Sequence, residues 1–516
     1  MSPYLRKVTT ASGAIAVQIA EKVDGRQRIR EHVGSAHNEV ELAILMAEGK
    51  RRLRPGQLEL DLDPAGRAVT TAKARGLSSQ ILWNVLEAAY SHLGFDAVED
   101  EAFKQLVLAR LIEPTSKLDT IRVLAEIGVA APHISTIKRC LKRIQERDYR
   151  AVVSQACFEH VHTRGGGDVS LILYDVTTLY FEAEDEDNFR KPGYSKERRI
   201  DPQIVVGLLV DRTGFPLEIQ CFEGDKGETL TLIPVIKAFK QKHGIEDMVV
   251  VADAGMLSNE NLKQLEAQQL RFIVGSRMTK APHDLAKHFH WNGTLFTDGQ
   301  IIYTVTAKWG HGDKDRITTR AEPVWDREKH PAHWRAIWHY SASRARRDER
   351  NLNKQEAKAR EIAAGERTAK KARFLTSQGG QFVVNETTLQ RARDLAGLKG
   401  YVTNIPTSLM PASEVVASYH DLWHVEQSFR MSKSDLAARP IFHHTRQAIE
   451  AHLTIVFTAL AVARDLQNRS GISLKKLLTT LRPLRHVTIA IGATEATIPP
   501  EIPAETQAIL KNLKVH

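Results

Sequence analysis

Two aspartates in this chain close apolar runs, where an ionised carboxylate is expensive. Asp175 follows Leu171-Ile-Leu-Tyr174 and precedes Val-Thr-Thr178, and Asp253 follows Met248-Val-Val-Val-Ala252 and precedes Ala-Gly255. An unpaired buried charge is strongly unfavourable, so each acid needs a structural partner, as a strand-end cap or salt bridge, or else a ligand. A third acid, Glu426, stands in a helical stretch with Tyr419, Leu422 and Lys433, whose offsets of 3, 7 and 14 from Tyr419 put all four on one face of a single helix. Two strand-end aspartates and a helical glutamate offer the hard oxygen ligands that two magnesium ions take, manganese substituting. Such a pair supports in-line displacement at a phosphodiester. The three acids are far apart in sequence, so only the fold can gather them.

The elements that would position them are legible around residues 168–280. The Asp175 run has the composition of a buried strand. Gln203–Asp211 and Phe215–Phe222, joined by Arg212-Thr-Gly214, read as a hairpin. Thr229–His243 is periodically apolar and closes on Gly244, so it reads as a helix. The Asp253 strand, a helix opened by Ser258 and the strand Arg271-Phe-Ile-Val-Gly275 follow. This β-β-β-α-β-α-β order predicts an antiparallel meander and then parallel, helix-linked strands with right-handed crossovers. Strand one beside strand four would bring Asp175 and Asp253 to one sheet edge.

The rest of the chain divides by composition. Residues 1–67 read as a small β-rich region ending in a helix around Glu39–Arg54, and residues 68–167 as helical. There Ser135 is expected to cap a helix with Ile137, Leu141 and Ile144 on one face and Lys138, Arg139, Lys142 and Arg143 on the other. Four cations on a free face suit phosphate contacts and a recognition helix in a major groove, and equally a solvated surface. Residues 281–400 hold five of the seven tryptophans and read as a β-rich insertion, with a hairpin turn at Thr297–Gln300 and a basic helix after Ser341; the tryptophans suit its core. Residues 401–470 carry a last strand, Lys399–Asn404, the Glu426 helix and an apolar helix from His452; 471–516 form a tail with little pattern.

With 516 residues, two to four domains are expected. A net charge of +10 makes a polyanion the first partner to consider. No apolar run spans a bilayer, and the N-terminus lacks the apolar core of a secretion signal. With three scattered cysteines this predicts a cytoplasmic protein without a structural zinc site or membrane contact.

These motifs together resemble a DDE transposase of a bacterial insertion sequence, in the branch whose catalytic core is interrupted by a β-rich insertion. The resemblance is carried by Tyr174-Asp-Val-Thr-Thr178, Gly193-Tyr-Ser-Lys196 with Gln203–Leu208, Val251-Ala-Asp-Ala-Gly-Met256, and Tyr419–Lys433. The last resembles that branch's signature of Tyr, Arg, Glu and Lys spaced by two, three and six residues, except that Leu422 stands at the arginine position. The resemblance implies an RNase H-like mixed α/β sheet flanked by helices, interrupted by the insertion and preceded by a helical DNA-binding region. It implies that Asp175, Asp253 and Glu426 form the metal triad and that Tyr419 and Lys433 contact DNA, with Arg430 substituting for the missing arginine. It further implies double-stranded DNA as partner, both element ends and target, bound by a homodimer at the nucleoid. A hairpin intermediate is implied as well, with a tryptophan of the 291–338 set holding an extruded base. Two other activities fit the same residues: a metal-dependent, structure-specific nuclease without strand transfer, and a DNA-binding repressor with a dead core.

Overall fold

The computed structural model describes residues 3–514 apart from 11–12, 24–25, 54–71, 165–169, 183–185, 194–200, 257, 311–318, 369–371, 379 and 492–493. It forms two compact units, Met1–His160 with Arg430–His516, and Val161–Phe429. The Gly193–Lys196 motif falls largely outside the described residues.

The first unit opens with an antiparallel sheet of β1 (Tyr4–Thr9), β2 (Ile15–Val23) and β3 (Arg26–Ala36), against which the helix Glu39–Leu53 packs. After β4 (Ala72–Ser78) come five helices, Gln80–His92, Glu101–Ile112, Thr120–Glu126, Ile134–Glu146 and Tyr149–Glu159. Ile134–Glu146 begins earlier than expected. His133 is its cap, with Nδ1 accepting from Ser135 N–H at 3.2 Å, while the Ser135 hydroxyl is held by the same ring at 2.8 Å.

The second unit is built on an eight-stranded mixed sheet. Its meander is β5 (Leu171–Tyr180), β6 (Gln203–Asp211) and β7 (Pro216–Glu223). β8 (Val249–Ala252) lies parallel to β5, and β9 (Arg271–Gly275) parallel to β8, with the helices Leu232–His243 and Asn259–Ala267 before and after β8. These five strands run β7-β6-β5-β8-β9, the RNase H-like order, and strand one does lie beside strand four. The apolar run of β6 is buried at every position, as both faces of the sheet are covered.

Beyond β9 the sheet continues. β10 (Ile301–Ala307), β11 (His333–Tyr340) and β14 (Leu398–Thr403) extend it in the order β10-β11-β14-β9, all antiparallel, whereas β12 (Leu375–Gln378) and β13 (Gln381–Val384) form a separate hairpin. Residues 281–400 thus contribute two strands to the central sheet itself, and much of the remainder is helical, including Ala342–Ala363 and Glu386–Asp394. Thr297–Gln300 turns not between two strands but between the helix Ala286–Asn292 and β10. Trp325, Trp334 and Trp338 are core residues, whereas Trp291 and Trp309 are exposed.

The single helix expected over Tyr419–Lys433 is broken into Ala412–His420 and Trp423–Arg430, with a π-helical turn over Met431–Asp435. Two bonds tie this region to the β6–β7 turn, one at the break and one from within the second helix. Arg212 Nε donates to Asp421 Oδ2 at 2.9 Å, and Ser428 Oγ donates to the Gly214 carbonyl at 3.0 Å.

The chain then returns to the first unit. Arg446–Ser470, apolar nearly all round over His452–Ala463, is buried there against Glu101–Ile112 and Ile134–Glu146. The C-terminal stretch is ordered more than its sequence pattern suggests. β15 (His486–Ile491) pairs with β4 and with β16 (Thr494–Ile498), and Ala504–Asn512 is a helix.

Candidate active site

Backbone register brings the two aspartates together. In the parallel β5–β8 pair the last partners are Tyr174 and Ala252, so Asp175 and Asp253 stand one step further along adjacent strands. They differ in setting. β8 ends at Ala252 and leaves Asp253 exposed, whereas β5 runs on to Tyr180, paired with β6, so Asp175 is a half-buried mid-strand residue rather than a strand end. Asp175 Oδ1 accepts from Val176 N–H at 2.8 Å.

Tyr419 reaches the same place from the next layer. It is buried, stacks edge-on against Tyr401 with ring centroids 5.0 Å apart, and donates its hydroxyl to Asp253 Oδ1 at 2.5 Å. Burial, then the Asp253 charge and that hydrogen bond, hold its phenol protonated far above the ordinary tyrosine range, with Asp175 adding a smaller push. Gly275 makes room for this: a Cβ there would lie 2.6 Å from the Tyr419 hydroxyl.

Glu426 is exposed on Trp423–Arg430, the helix anchored by Ser428 and Asp421. Lys399 of β14 feels the charges of both Glu426 and Asp253. Its ammonium lies 4.4 Å above the Tyr419 ring. Burial lowers its pKa, the charges of Asp253 and Glu426 oppose that shift, and Arg344 and Arg347 add to it. Lys399 is therefore near enough to Asp253, Glu426, Arg344 and Arg347 to feel the charge of each.

As a donor set, Asp175, Asp253 and Glu426 offer carboxylate oxygens with no cation bonded to Asp253 or Glu426 among the described residues. Their ligand atoms do not all close to within 4.8 Å of one another, as those of His92, His160 and Asp465 do in the first unit. Carboxylate oxygens are the hard ligands that hydrated divalent ions take. The His92, His160 and Asp465 group has a different explanation: Asp465 is already paired with Arg469 at 2.9 Å.

A family model for the transposase DDE domain matches residues 167–462, more than half of the chain. The chain belongs to the DDE transposases. Among curated proteins no match is found. Among solved structures the chain is similar to the piggyBac transposase in its synaptic complex with hairpin DNA, at 10% identity and a TM-score of 0.39, over 78% of this chain and 76% of that one. No helix among the described residues of this transposase is long and apolar enough to cross a membrane.

The other residues singled out in the sequence lie elsewhere. Lys433 is half-buried in the π-helical turn, and Arg430 is exposed at the end of the Glu426 helix, one turn beyond the glutamate. Leu422 sits in the break between the two helices, its carbonyl accepting from Glu426 N–H at 3.4 Å. In the first unit Lys138, Arg139 and Lys142 are exposed, but Arg143 is not on that free face. Its Nη2 lies 2.6 Å from Asp100 Oδ2, which also accepts from the Tyr149 hydroxyl. Three residues escaped the sequence reading: Lys399, Arg344 and Trp423, the last 52% exposed one turn before Glu426. Only Lys399 left a usable signal there, as a lone lysine in the otherwise apolar strand Leu398–Thr403.

Proposed function

We propose that this transposase cuts DNA at the ends of its own insertion sequence and joins them to target DNA, with Asp175, Asp253 and Glu426 holding two magnesium ions, or manganese in their place. The observation that carries this reading is the adjacency of Asp175 and Asp253 across β5 and β8, with Lys399 electrostatically linked to both Asp253 and Glu426. Bound there, divalent cations supply Lewis-acid stabilisation to the oxygens of an in-line displacement. The chain's own groups do the positioning. Tyr419 fixes one Asp253 oxygen and leaves the other open, and the β6–β7 turn holds the Glu426 helix. No protein nucleophile is required, because water and then a freed 3′-hydroxyl attack in turn.

Lys138, Arg139 and Lys142 make a cationic surface suited to the DNA backbone, with Lys433 and Arg430 as further phosphate contacts. The protein acts as a homodimer that holds two element ends. If cleavage passes through a DNA hairpin, an exposed aromatic must hold the extruded base. Trp423, Trp291 and Trp309 are open to solvent for this, and the buried Trp325, Trp334 and Trp338 are not.

The test is incubation of the purified chain with a labelled fragment carrying one element end, a supercoiled target and magnesium. Cleavage at the element boundary followed by joined product is the expected result. Cleavage that ignores the end sequence and yields no joined product would support a nuclease instead.

A further inference from the structure

Among the described residues of the first unit, the two most exposed large apolar side chains are Leu118 and Phe442, at 67% and 73%. A single exposed apolar side chain needs no explanation. These two stand on loops that one buried group joins. Arg110 Nη1 donates to the carbonyls of Leu436 at 2.7 Å and Ala437 at 3.2 Å, and its Nη2 donates to that of Thr115 at 3.4 Å. Lys117, next to Leu118, meets the ring of His443, next to Phe442, and lies 3.1 Å from His452 Nδ1. His452 Nε2 in turn donates to the Ala438 carbonyl at 3.2 Å. Within the first loop Thr115 Oγ1 donates to Asp119 Oδ2 at 2.7 Å, and in the second Ile441 is buried just before Phe442. The apolar pair is thus presented on loops fixed to each other.

The charge around the pair selects its partner. Residues 436–446 contain no acid and carry Arg439, His443, His444 and Arg446, with Asp435 and Glu450 on either side of the stretch. The two acids of residues 113–119, Glu113 and Asp119, are both paired with Arg122, at 2.6 and 2.8 Å. His444 is exposed, and so is Arg446, although it pairs with Glu450 at 2.9 Å. A basic surface with projecting apolar side chains matches duplex DNA, whose phosphates take the cations and whose base stack takes the apolar groups.

We propose that Leu118 and Phe442 form a wedge that enters the base stack of bound duplex DNA and kinks it, with His444 and Arg446 on the flanking phosphates. The proposal rests on the DNA-binding part of the reading above and not on the triad. Unstacking a base step is costly, and a wedge offsets that cost best when it is already held in place; the contacts of Arg110 and Lys117 hold it. Apolar side chains meet the faces of bases and not their hydrogen-bonding edges, so unrelated duplex should be kinked as well as an element end.

In the experiment the full-length chain is mixed, without divalent metal, with an element-end duplex or an unrelated duplex of equal length, each dye-labelled at both ends. Energy transfer reports bending, titration gives affinity, and thermal melting checks the fold. L118A/F442A should lose about half or more of the wild-type gain in energy transfer and bind both duplexes about tenfold more weakly, the scale of losing one stacked side chain. No charge is removed, so its slope of log affinity against log salt should match that of wild type. F442W should bend both duplexes as wild type does. Wild-type bending and affinity in L118A/F442A overturns the wedge. So does normal DNA binding together with lost self-association in sedimentation, which makes the pair a contact between copies. Loss of bending in L118A/F442A and F442W alike, matched by a fall in melting temperature, marks a structural role and also overturns the proposal. Failure of wild type to bind either duplex overturns instead the DNA-binding reading beneath it.

Discussion

Tyr419 illustrates how far a residue's type and spacing can carry an argument. Its place in a Tyr, Glu and Lys pattern suggested a DNA contact, yet the side chain is buried and its hydroxyl is spent on Asp253 at 2.5 Å. Nothing local in the sequence pairs this phenol with Asp253, which lies 166 residues away. Tyr419→Phe keeps the ring against Tyr401 and removes only the bond to a charged acceptor, worth about 1.5–3 kcal/mol. Its single-turnover cleavage rate should drop at least about tenfold, with a modest fall in melting temperature from the lost bond. A wild-type rate would mean that the hydroxyl does not hold Asp253 in the working enzyme. The aspartates themselves were legible, because an acid closing an apolar run is costly and must be explained. Lys399 and Arg344 were not: their meaning lies in which acids and phenols surround them, and those come from strands and helices distant in the chain.

At the scale of elements, the meander and the two crossovers followed from turn residues and apolar periodicity, which are local signals. The β10, β11 and β14 extension did not, because pairing partners such as Trp338 and Gly400 are far apart in sequence and no local pattern specifies them. The Glu426 helix was misread for a related reason. Helical spacing placed Tyr419 and Glu426 on one helix, whereas the chain turns at Asp421–Leu422, where Arg212 bonds the Asp421 carboxylate from a distant turn. Within the central sheet, Gly207 of β6 lets the buried Tyr174 ring lie across it, closer than any Cβ would allow. Gly207→Ala should therefore destabilise the protein by about 1–3 kcal/mol through overpacking next to Asp175, read as a lower urea midpoint. An unchanged midpoint would mean that the ring shifts freely, and that β5 is less tightly fixed than its burial implies.

At the scale of the whole molecule, the excess of basic charge becomes a prediction about salt. Lys138, Arg139 and Lys142 are exposed on one helix, and each phosphate contact contributes about 0.9 to the slope of log affinity against log salt. Replacing all three by alanine should weaken end binding and flatten that slope by roughly 2 to 3. An unchanged slope would make the cluster a solvated face. Stability should also depend on pH through Lys117, whose ammonium meets the rings of His443 and His452. Burial, and then the Arg110 guanidinium, lower its pKa from 10.5 to about 7. Between those values the unfolded chain keeps a proton that the folded one has lost, so this group makes stability rise with pH across that window. Lys117→Met should be more stable than wild type near pH 6 and lose that advantage progressively towards pH 10, as followed by thermal melting at each pH.

The central claim is that Asp175, Asp253 and Glu426 form one catalytic centre, and cleavage of a single labelled element-end fragment in magnesium or manganese tests it most directly. Asp175→Ala, Asp253→Ala and Glu426→Ala should each abolish cleavage while still shifting the fragment in a gel. Glu414→Ala, an exposed acid on the neighbouring helix, should cleave as wild type does. Wild-type cleavage by any one of the three triad variants would contradict the account and remove that carboxylate from the site.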